Sequence, residues 1–475
     1  MEKSPTERWG IFELELNAEV SGNPFEDVAH SARFVQGNRV VPVNGFYDGA
    51  ETYRIRFMLD SIGTWQYETR STCDTLNGMS GSFECIAPSV QHRGQVVVRG
   101  VHHFAYAEGT PYYPVGTTCY TWNHQGYEQE EKTLQTLRDS PFNKIRMCVF
   151  SKHYSYSRNE PDHRPFEGSL DAGWNFTRFN PAFWHHLEER IGDLRDLGIE
   201  SDLILFHPYD RWGYAKMDEA SDDRYLKYAV ARLSAFRNVW WSLANEWDLM
   251  RAKSEQDWDR YFKIIQECDP SQHLRSIHNC ARFYDHNLPW VTHANIQNSD
   301  TSLTTKWRNQ YRKPVIDDEY CYEGNVPQDW GNITGQELVK RFWDGFIRGG
   351  YVGHGKTYLH PDDVLWWSKG GVLHGTSPAR IAFLRKIIEA GPGPLEPKNI
   401  GVTCAGHMEN YYLAYLGPNQ SARKRLTLPE DHEYRIVDTW ETEISTIGGT
   451  YTGKFDIDLP GKPFTALRIT RKEEA

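Results

Sequence analysis

A chain of 475 residues is too long for one ordinary hydrophobic core and suits one large domain with smaller ones attached. The formal net charge of −11 argues against nucleic acid as the main partner, because no basic stripe accompanies it. Aromatic residues make up 14% of the chain, which fits a carbohydrate site because sugar rings stack on aromatic side chains, although most such rings lie in cores.

Residues 1–8 contain no apolar run, so we expect no signal peptide, and no segment approaches the roughly 20 apolar residues that span a bilayer. The eight cysteines show no CxxC pair and no zinc-ligand spacing, so we expect no metal and no cofactor. Cys73 and Cys85 could in principle pair, but a cytoplasmic chain is expected to keep its thiols reduced. We therefore expect a cytoplasmic protein without a membrane partner.

Residues from about 8 to 100 alternate between apolar and polar positions, with turn residues at regular spacing. This pattern predicts an N-terminal β-sandwich over residues 1–102. The predicted strands are 9–16, 52–58, 63–69, 81–86 and 95–98.

From about residue 104 to 392, strand-like apolar segments alternate with helical patterns. Eight such units favour an α/β fold of the (β/α)8 TIM-barrel type, predicted over residues 103–395, rather than an open doubly wound sheet. No GxGxxG or Walker motif opens the region, which argues against nucleotide binding. We predict barrel strands at 113–118, 144–150, 200–206, 239–243, 274–277, 290–296, 315–318 and 351–358, and helices at 183–197, 222–237, 254–268 and 334–348, with Ser377 capping the last helix.

Residues from about 398 to 472 return to alternating strands, at 410–416, 433–438, 453–459 and 464–470. They predict a small C-terminal β-domain over residues 396–475. The terminal β-domains could bind carbohydrate, form contacts in a homo-oligomer or brace the barrel, and we favour bracing and subunit contact.

The fourth and seventh predicted strands each deliver a carboxylate at the C-terminal end, Glu246 after the run 239–244 and Glu319 after the run 314–318. In a TIM barrel, catalytic residues project from that end. Two converging carboxylates are what hydrolysis of a glycosidic bond requires, one as acid/base and one as nucleophile or base. A single Glu after a strand is usually a solvated loop residue, so the argument rests on the pair.

Asp317, Asp318 and Glu323 are rivals for the nucleophile. The two aspartates lie within the seventh strand, and Glu323 lies far along the following loop. Glu246 has to be protonated to act as an acid, so burial and a neighbouring negative charge should raise its pKa.

Polar or aromatic groups follow nearly every predicted barrel strand, and together they indicate a sugar-binding site. Each one alone has an ordinary structural explanation, because a lone His is usually a satisfied core residue and a Trp pair is usually packing. The candidate substrate-binding residues after the strands are Trp122, His153, His207, Tyr209, Asp210, Trp212, His278, Gln297, Tyr322, His354, Trp366 and Trp367. Tyr120, Lys152 and Tyr154 are further strand-end groups to which no role is assigned.

Two more candidates have specific roles. Arg146 on the second strand, if it points inward, would keep Glu319 ionised through a charge-assisted hydrogen bond. Asn245 can donate its amide to the sugar 2-hydroxyl, a contact that strengthens in the transition state. Trp366 or Trp367 could form the floor on which the sugar stacks.

The Asn245-Glu246 pair, Glu319 and Arg146 resemble the signature of clan A of the retaining glycoside hydrolases, the "4/7" barrels. The whole chain looks more narrowly like the apiosidase-like, cellulase-related glycosidases, through segments 207–213, 366–371 and 373–378. The resemblance implies a retaining mechanism, with an N-terminal sandwich before the barrel and a small β-domain after it.

One segment departs from the clan pattern. Many members orient the nucleophile with a Tyr near the end of the sixth strand, often in a His-x-Tyr motif, whereas residues 293–295 read His-Ala-Asn. Tyr322 or Gln297 could take that role.

The resulting prediction is a retaining glycosidase, exo-acting on oligosaccharides or small glycosides, with Glu246 as acid/base and Glu319 as nucleophile. The lack of an export signal favours exo-action. One alternative is a catalytically inactive carbohydrate-binding or scaffolding protein on the same barrel. Another is a metal-dependent hydrolase using His207, Asp210, His278 and His293, although barrel metalloenzymes usually begin with a His-x-His motif that residues 117–120 lack. The identity of the sugar, its ring form and its linkage do not follow from the sequence.

Overall fold

The computed structural model describes residues 4–89, 92–360, 364–446 and 449–472. At the N-terminal end, two facing sheets pack their apolar residues against each other, as expected for a β-sandwich. The five-stranded sheet has the order Thr6–Glu7, Ser80–Ile86, Gly63–Ser71, His30–Gln36 and Arg39–Asn44, and the three-stranded sheet has the order Ile11–Asn17, Thr52–Met58 and Phe46–Tyr47. The predicted sandwich is confirmed.

The sandwich also contains the strands His30–Gln36 and Arg39–Asn44, which were not predicted. The second of them contains Pro42, which weakens a strand prediction, and it lies at the edge of its sheet, where Pro is tolerated.

Eight parallel strands form a nearly closed barrel in which strand order follows the chain. The fifth and sixth strands flank the gap, where the Thr292 N–H donates to the Arg275 carbonyl oxygen (2.9 Å). This confirms the TIM barrel. The barrel strands are Val115–Thr118, Lys144–Cys148, Glu200–Phe206, Val239–Ala244, Arg275–Ser276, Ala294–Gln297, Val315–Glu319 and Tyr351–His354.

Helices pack around the barrel, and several begin at a side chain that caps the first turn. Asn180, Asp218, Ser254 and Thr334 each accept a hydrogen bond from a backbone N–H of the helix that follows. The helices of the chain are Pro24–Asp27, Tyr127–Arg138, Pro181–Asp196, Glu219–Leu233, Glu255–Cys268, Thr304–Tyr311, Gly335–Ile347, Trp366–Lys369 and Ser377–Glu389.

Several local details differ from the predictions. The cap of the last helix is Thr376, and Ser377 is the first residue of the helix. The Ser377 N–H donates to the buried Glu323 carboxylate (3.1 Å). The eighth barrel strand ends at His354, and the short strand Lys356–Thr357 pairs instead with Glu323–Gly324. The hairpin Phe166–Ser169 and Gly173–Phe179, after the second barrel strand, was not predicted.

A small antiparallel sheet closes the N-terminal end of the barrel. It consists of Val96–Arg99, His103–Tyr106 and Pro111–Tyr112, so the segment 95–98 that was assigned to the sandwich pairs with the strand that follows it. The Phe104 ring packs against Trp240 (centroids 5.4 Å apart) and Tyr351 (5.5 Å), near the starts of the fourth and eighth strands.

The C-terminal region forms an antiparallel sheet, as predicted. Its strands are Glu396–Asn399, Thr403–His407, Tyr411–Tyr415, Arg423–Asp438, Glu443–Ile444, Thr450–Asp458 and Thr465–Arg471. The long strand was predicted to start at residue 433, because Pro429 interrupts the pattern where the pairing register shifts between Leu428 and His432. Within the described ranges, no helix combines the length and apolar character needed to cross a membrane.

Candidate active site

A cavity of about 600 Å³ opens at the C-terminal ends of the barrel strands. Glu246 and Glu319 both line it, although they come from the fourth and seventh strands. Of the predicted substrate-binding residues, four line the same cavity: Tyr209, Gln297, Tyr322 and Trp367. Aromatic rings also form much of its wall, including those of Tyr120, Tyr154, Tyr156, Phe283, Tyr320 and Trp330.

Glu319 is the last residue of the seventh strand, and donors from two other strands converge on its carboxylate. Arg146 Nη1 lies 2.8 Å from Glu319 Oε1, and the Tyr120 hydroxyl donates a hydrogen bond to the same oxygen. His278 Nε2 is 3.9 Å away. The residue is only 7% exposed, so a guanidinium and a hydroxyl donor face its carboxylate in a site with little water.

Asn245 is part of the same network. Its Oδ1 accepts from Arg146 Nη2 (3.2 Å) and lies 3.1 Å from the Tyr120 hydroxyl. These contacts fix the orientation of the amide, and within the described part of the chain its Nδ2 has no hydrogen-bond partner. A buried amide donor without a partner is available to a substrate hydroxyl.

Tyr120 reaches Glu319 because the backbone continues the first strand to this point. Its N–H donates to the Trp367 carbonyl oxygen (3.0 Å), and its carbonyl oxygen accepts from the Cys148 N–H (2.7 Å). Tyr120 therefore lies beside Glu319, and so does Tyr322, whose pKa is raised well above its usual range by burial and by the Glu319 charge.

Glu246 follows the fourth strand with a left-handed backbone (φ 53°), which is uncommon for a residue other than Gly. The Tyr209 hydroxyl donates to its Oε2, and the residue is 7% exposed. Burial and the negative charge of Glu319 raise the pKa of Glu246, while the charge of Lys152 and the Tyr209 hydrogen bond oppose that rise. The two carboxylates thus lie in different electrostatic environments.

The rival carboxylates lie outside the cavity lining. Asp318 pairs with Lys144 inside the barrel (2.9 Å), and Glu323 pairs with Lys356 (2.5 Å). Burial holds the pKa of Asp317 well above its usual range. None of the three is placed to attack a sugar in this cavity.

Comparison with known families identifies the chain. A model of the apiosidase-like catalytic domain matches residues 99–382, which is more than half of the sequence. The chain belongs to the apiosidase-like family. Two domains of unknown function match on either side of it, DUF5060 over residues 5–72 and DUF5605 over residues 401–470.

Solved structures agree with this assignment of the apiosidase-like chain. A Bacteroides vulgatus protein described as a candidate glycoside hydrolase is 39% identical, with a TM-score of 0.93 over 99% of this chain and 100% of that chain. A family 5 glycoside hydrolase from the same species has a TM-score of 0.64 at 14% identity, over 80% of this chain and 93% of that chain, which shows the shared fold. No protein with curated annotation matches. The apiosidase-like protein is therefore a glycoside hydrolase, and its substrate is a carbohydrate.

Several predicted substrate-binding residues of the apiosidase-like barrel lie away from the cavity. His207 is fully buried and its Nε2 contacts the Phe150 carbonyl oxygen (3.1 Å). Asp210 accepts from the N–H groups of Trp212 (2.8 Å) and Ala215 (2.8 Å), so it stabilises a turn. Trp212 in turn packs beside His153 (centroids 6.2 Å apart).

Three other predicted substrate-binding residues, Trp122, His354 and Trp366, are buried in the core. The Trp122 indole contacts Met147 Sδ (3.3 Å), while His354 Nδ1 and Trp366 Nε1 both lie 2.9 Å from Thr117 Oγ1. Their side chains lie in the packed layers around the barrel, and neither they nor the loop residues above line the cavity.

The four residues of the metal-site alternative are also separated. His293 packs against Phe104 and Trp240 at the closed end of the barrel, whereas His278 lies near Glu319. Across the described ranges, no group of three or more His, Cys, Asp or Glu side chains is arranged to hold a metal ion.

Proposed function

We propose that this apiosidase-like protein is a retaining, exo-acting glycosidase in which Glu319 is the nucleophile and Glu246 the acid/base. The observation that carries the proposal is the unequal environment of two carboxylates in one cavity. Glu319 has a guanidinium contact at 2.8 Å from Arg146, whereas burial and the charge of Glu319 raise the pKa of Glu246. An ionised and a protonated carboxyl are what a double displacement needs at its start.

In the first step, a Glu319 oxygen attacks the anomeric carbon as the bond to the leaving oxygen breaks. Glu246 donates its proton to that oxygen, and the aglycone departs. A water molecule then attacks the glycosyl-enzyme, Glu246 accepts a proton from the water, and the ester bond to Glu319 breaks. Asn245 Nδ2 is positioned by Arg146 to donate to the sugar 2-hydroxyl during both steps.

The cavity volume of about 600 Å³ supports exo-action, because it suits a small glycoside or the end of an oligosaccharide better than the middle of a long chain. The Trp367 and Trp330 rings, with centroids 4.9 Å apart, offer apolar faces for a sugar ring.

The test of the mechanism is Glu319→Ala, assayed on a panel of aryl glycosides that includes furanosides. Turnover should fall by at least about 10³-fold, and azide should restore part of it as the glycosyl azide. Glu128→Ala, which changes an exposed glutamate of the helix Tyr127–Arg138, is the matched control and should retain full activity. Near-wild-type turnover by Glu319→Ala would contradict the assignment.

The stereochemistry of the product provides an independent check. Proton NMR of the first product formed should show retention at the anomeric carbon, because two displacements restore the configuration. Inversion would exclude the double displacement. A mechanism-based inhibitor that labels no residue while an oligosaccharide still binds would favour the inactive carbohydrate-binding alternative.

A further inference from the structure

The lysine that follows the second barrel strand lies within a group of aromatic rings at the cavity. Lys152 Nζ is 3.4 Å from the ring centroid of Tyr120, 4.2 Å from that of Tyr209, 4.7 Å from that of Tyr154 and 5.6 Å from that of Trp367. The residue is 3% exposed and lines the cavity. The neighbouring His153 N–H donates to the Tyr209 carbonyl oxygen (2.8 Å), which joins the backbone beside Lys152 to the loop that carries Tyr209.

Two of these rings carry the hydroxyls that bind the two carboxylates. The Tyr120 hydroxyl donates to Glu319, and the Tyr209 hydroxyl donates to Glu246. The single ammonium of Lys152 therefore contacts both hydrogen-bond donors, at 3.4 and 4.2 Å from their ring centroids. A cation over an aromatic face is attracted by the ring quadrupole, most strongly where water is excluded.

The ammonium is held by these rings and not by an acidic side chain. No carboxylate of the described residues lies within 4.0 Å of Lys152 Nζ. Burial lowers the pKa of Lys152, and the charges of Glu246 and Glu319 act in the opposite direction. A buried cation without an ion pair is costly, so its retention here calls for a role in the site.

The other titratable groups around Lys152 are mostly neutral near pH 7. Burial lowers the pKa of His207 to about 3 and that of His278 well below its usual range, and burial raises the pKa of Cys148 to about 12. Burial raises the pKa of Tyr120 and of Tyr209, so these two phenols are uncharged at that pH. The other titratable groups that act on the ammonium are Arg146, Glu246 and Glu319.

We propose that Lys152 is a positioning residue for the glycosidase reaction, which holds the Tyr120 and Tyr209 rings and through them orients both carboxylates. Its charge also polarises the two phenols, which strengthens each as a hydrogen-bond donor. One cation thus fixes the relative placement of the two groups that act on opposite sides of the glycosidic bond. This inference rests on the proposed roles of Glu246 and Glu319.

A double-mutant cycle on the full-length protein tests the pathway through Tyr209. Lys152→Met should lower kcat/KM for a neutral aryl glycoside by about 30-fold, and Lys152→Arg by less, because Arg keeps the cation. In the Tyr209→Phe background, Lys152→Met should cost markedly less, since one of its two hydroxyl partners is already absent. Lys132→Met, at an exposed lysine, is the matched control and should leave kcat/KM unchanged.

The pH profile gives a readout that a purely structural role would not move. Removing the positive charge from the site should raise the pKa of Glu246 further, so the basic limb of kcat/KM in Lys152→Met should move to higher pH by about half to one unit. Lys152→Arg should leave the limb near its wild-type position. Melting temperatures of all variants show whether each one is folded.

Three outcomes would overturn the inference. The first is that the losses of kcat/KM caused by Lys152→Met and Tyr209→Phe multiply fully in the double variant. The second is a loss of activity in Lys152→Met with no movement of the basic limb of kcat/KM. The third is a rise in KM confined to glycosides that carry a carboxylate. The last would make Lys152 a substrate contact. Failure of the proposed function is distinguishable, because it would appear as turnover retained by Glu319→Ala.

Discussion

The hydroxyl of Tyr120, which follows the first barrel strand, donates a hydrogen bond to the carboxylate of Glu319 at the end of the seventh strand. Tyr120→Phe removes this donor and leaves Arg146 in place. A hydrogen bond to a charged group contributes about 1.5–3 kcal/mol, so we expect kcat/KM for aryl glycosides to fall roughly 10- to 100-fold. Tyr127→Phe, at a residue 73% exposed, is the control and should be neutral. Equal activities of the two variants would contradict the orienting role.

The unpartnered amide of Asn245 leads to a prediction about substrate structure. Asn245→Ala should reduce kcat/KM for a glycoside with a 2-hydroxyl by about 100-fold, because that contact strengthens in the transition state. The matching 2-deoxy glycoside is the control, and its hydrolysis should change by only a few-fold. If both substrates lose activity to the same extent, Asn245 acts by holding Arg146 and Tyr120 and not by binding the sugar.

The Tyr209 hydrogen bond should set part of the pH dependence. Burial and the charge of Glu319 raise the pKa of Glu246, and the Tyr209 hydroxyl opposes this rise by stabilising the ionised form. The acid has to be protonated, so activity is lost as pH rises through that pKa. Tyr209→Phe removes the opposing contact, and the basic limb of kcat/KM should move upward by up to about one unit. A downward movement would contradict this reasoning.

Glu323, a rival for the nucleophile in the sequence, should matter for stability and not for turnover. Burial opposes its ionisation, but Lys356 and the donors at Thr376 and Ser377 outweigh this effect and lower its pKa to about 2. The pKa is lower in the folded state than the ordinary 4.5, so the stabilisation is complete above about pH 4.5 and is lost as pH falls through about 2.

Glu323→Gln leaves the buried Lys356 unpaired, so we expect it to reduce the free energy of unfolding by about 3–5 kcal/mol at pH 7 and by less at pH 3. Urea unfolding at both pH values measures this difference. Asp458→Asn, which affects an exposed pair with Arg423, is the control and should change stability by under about 1 kcal/mol. A stable Glu323→Gln variant with no turnover would instead return Glu323 to the catalytic candidates.

The sequence was sufficient for the barrel because its strands are continuous apolar runs bounded by turns, and the strand Glu200–Phe206 has the predicted limits. Glu246, Glu319 and Arg146 could be placed together because each lies on or directly after a strand, where position along the strand determines direction. His207, Asp210 and other loop residues could not be placed in this way, because their directions depend on local hydrogen bonds. For the same reason, the hydrogen bond from Tyr120 to Glu319 could not be predicted.

Packing of Phe104 against Trp240 and Tyr351 fills the N-terminal end of the barrel, and the cavity opens at the opposite end. The departing aglycone and the incoming water molecule then pass through the same cavity opening. In a double displacement the aglycone has to leave through this opening before water can reach the glycosyl-enzyme. An acceptor sugar bound at the opening would compete with water. We therefore expect high concentrations of small alcohols or sugars to divert part of the reaction from hydrolysis to transglycosylation.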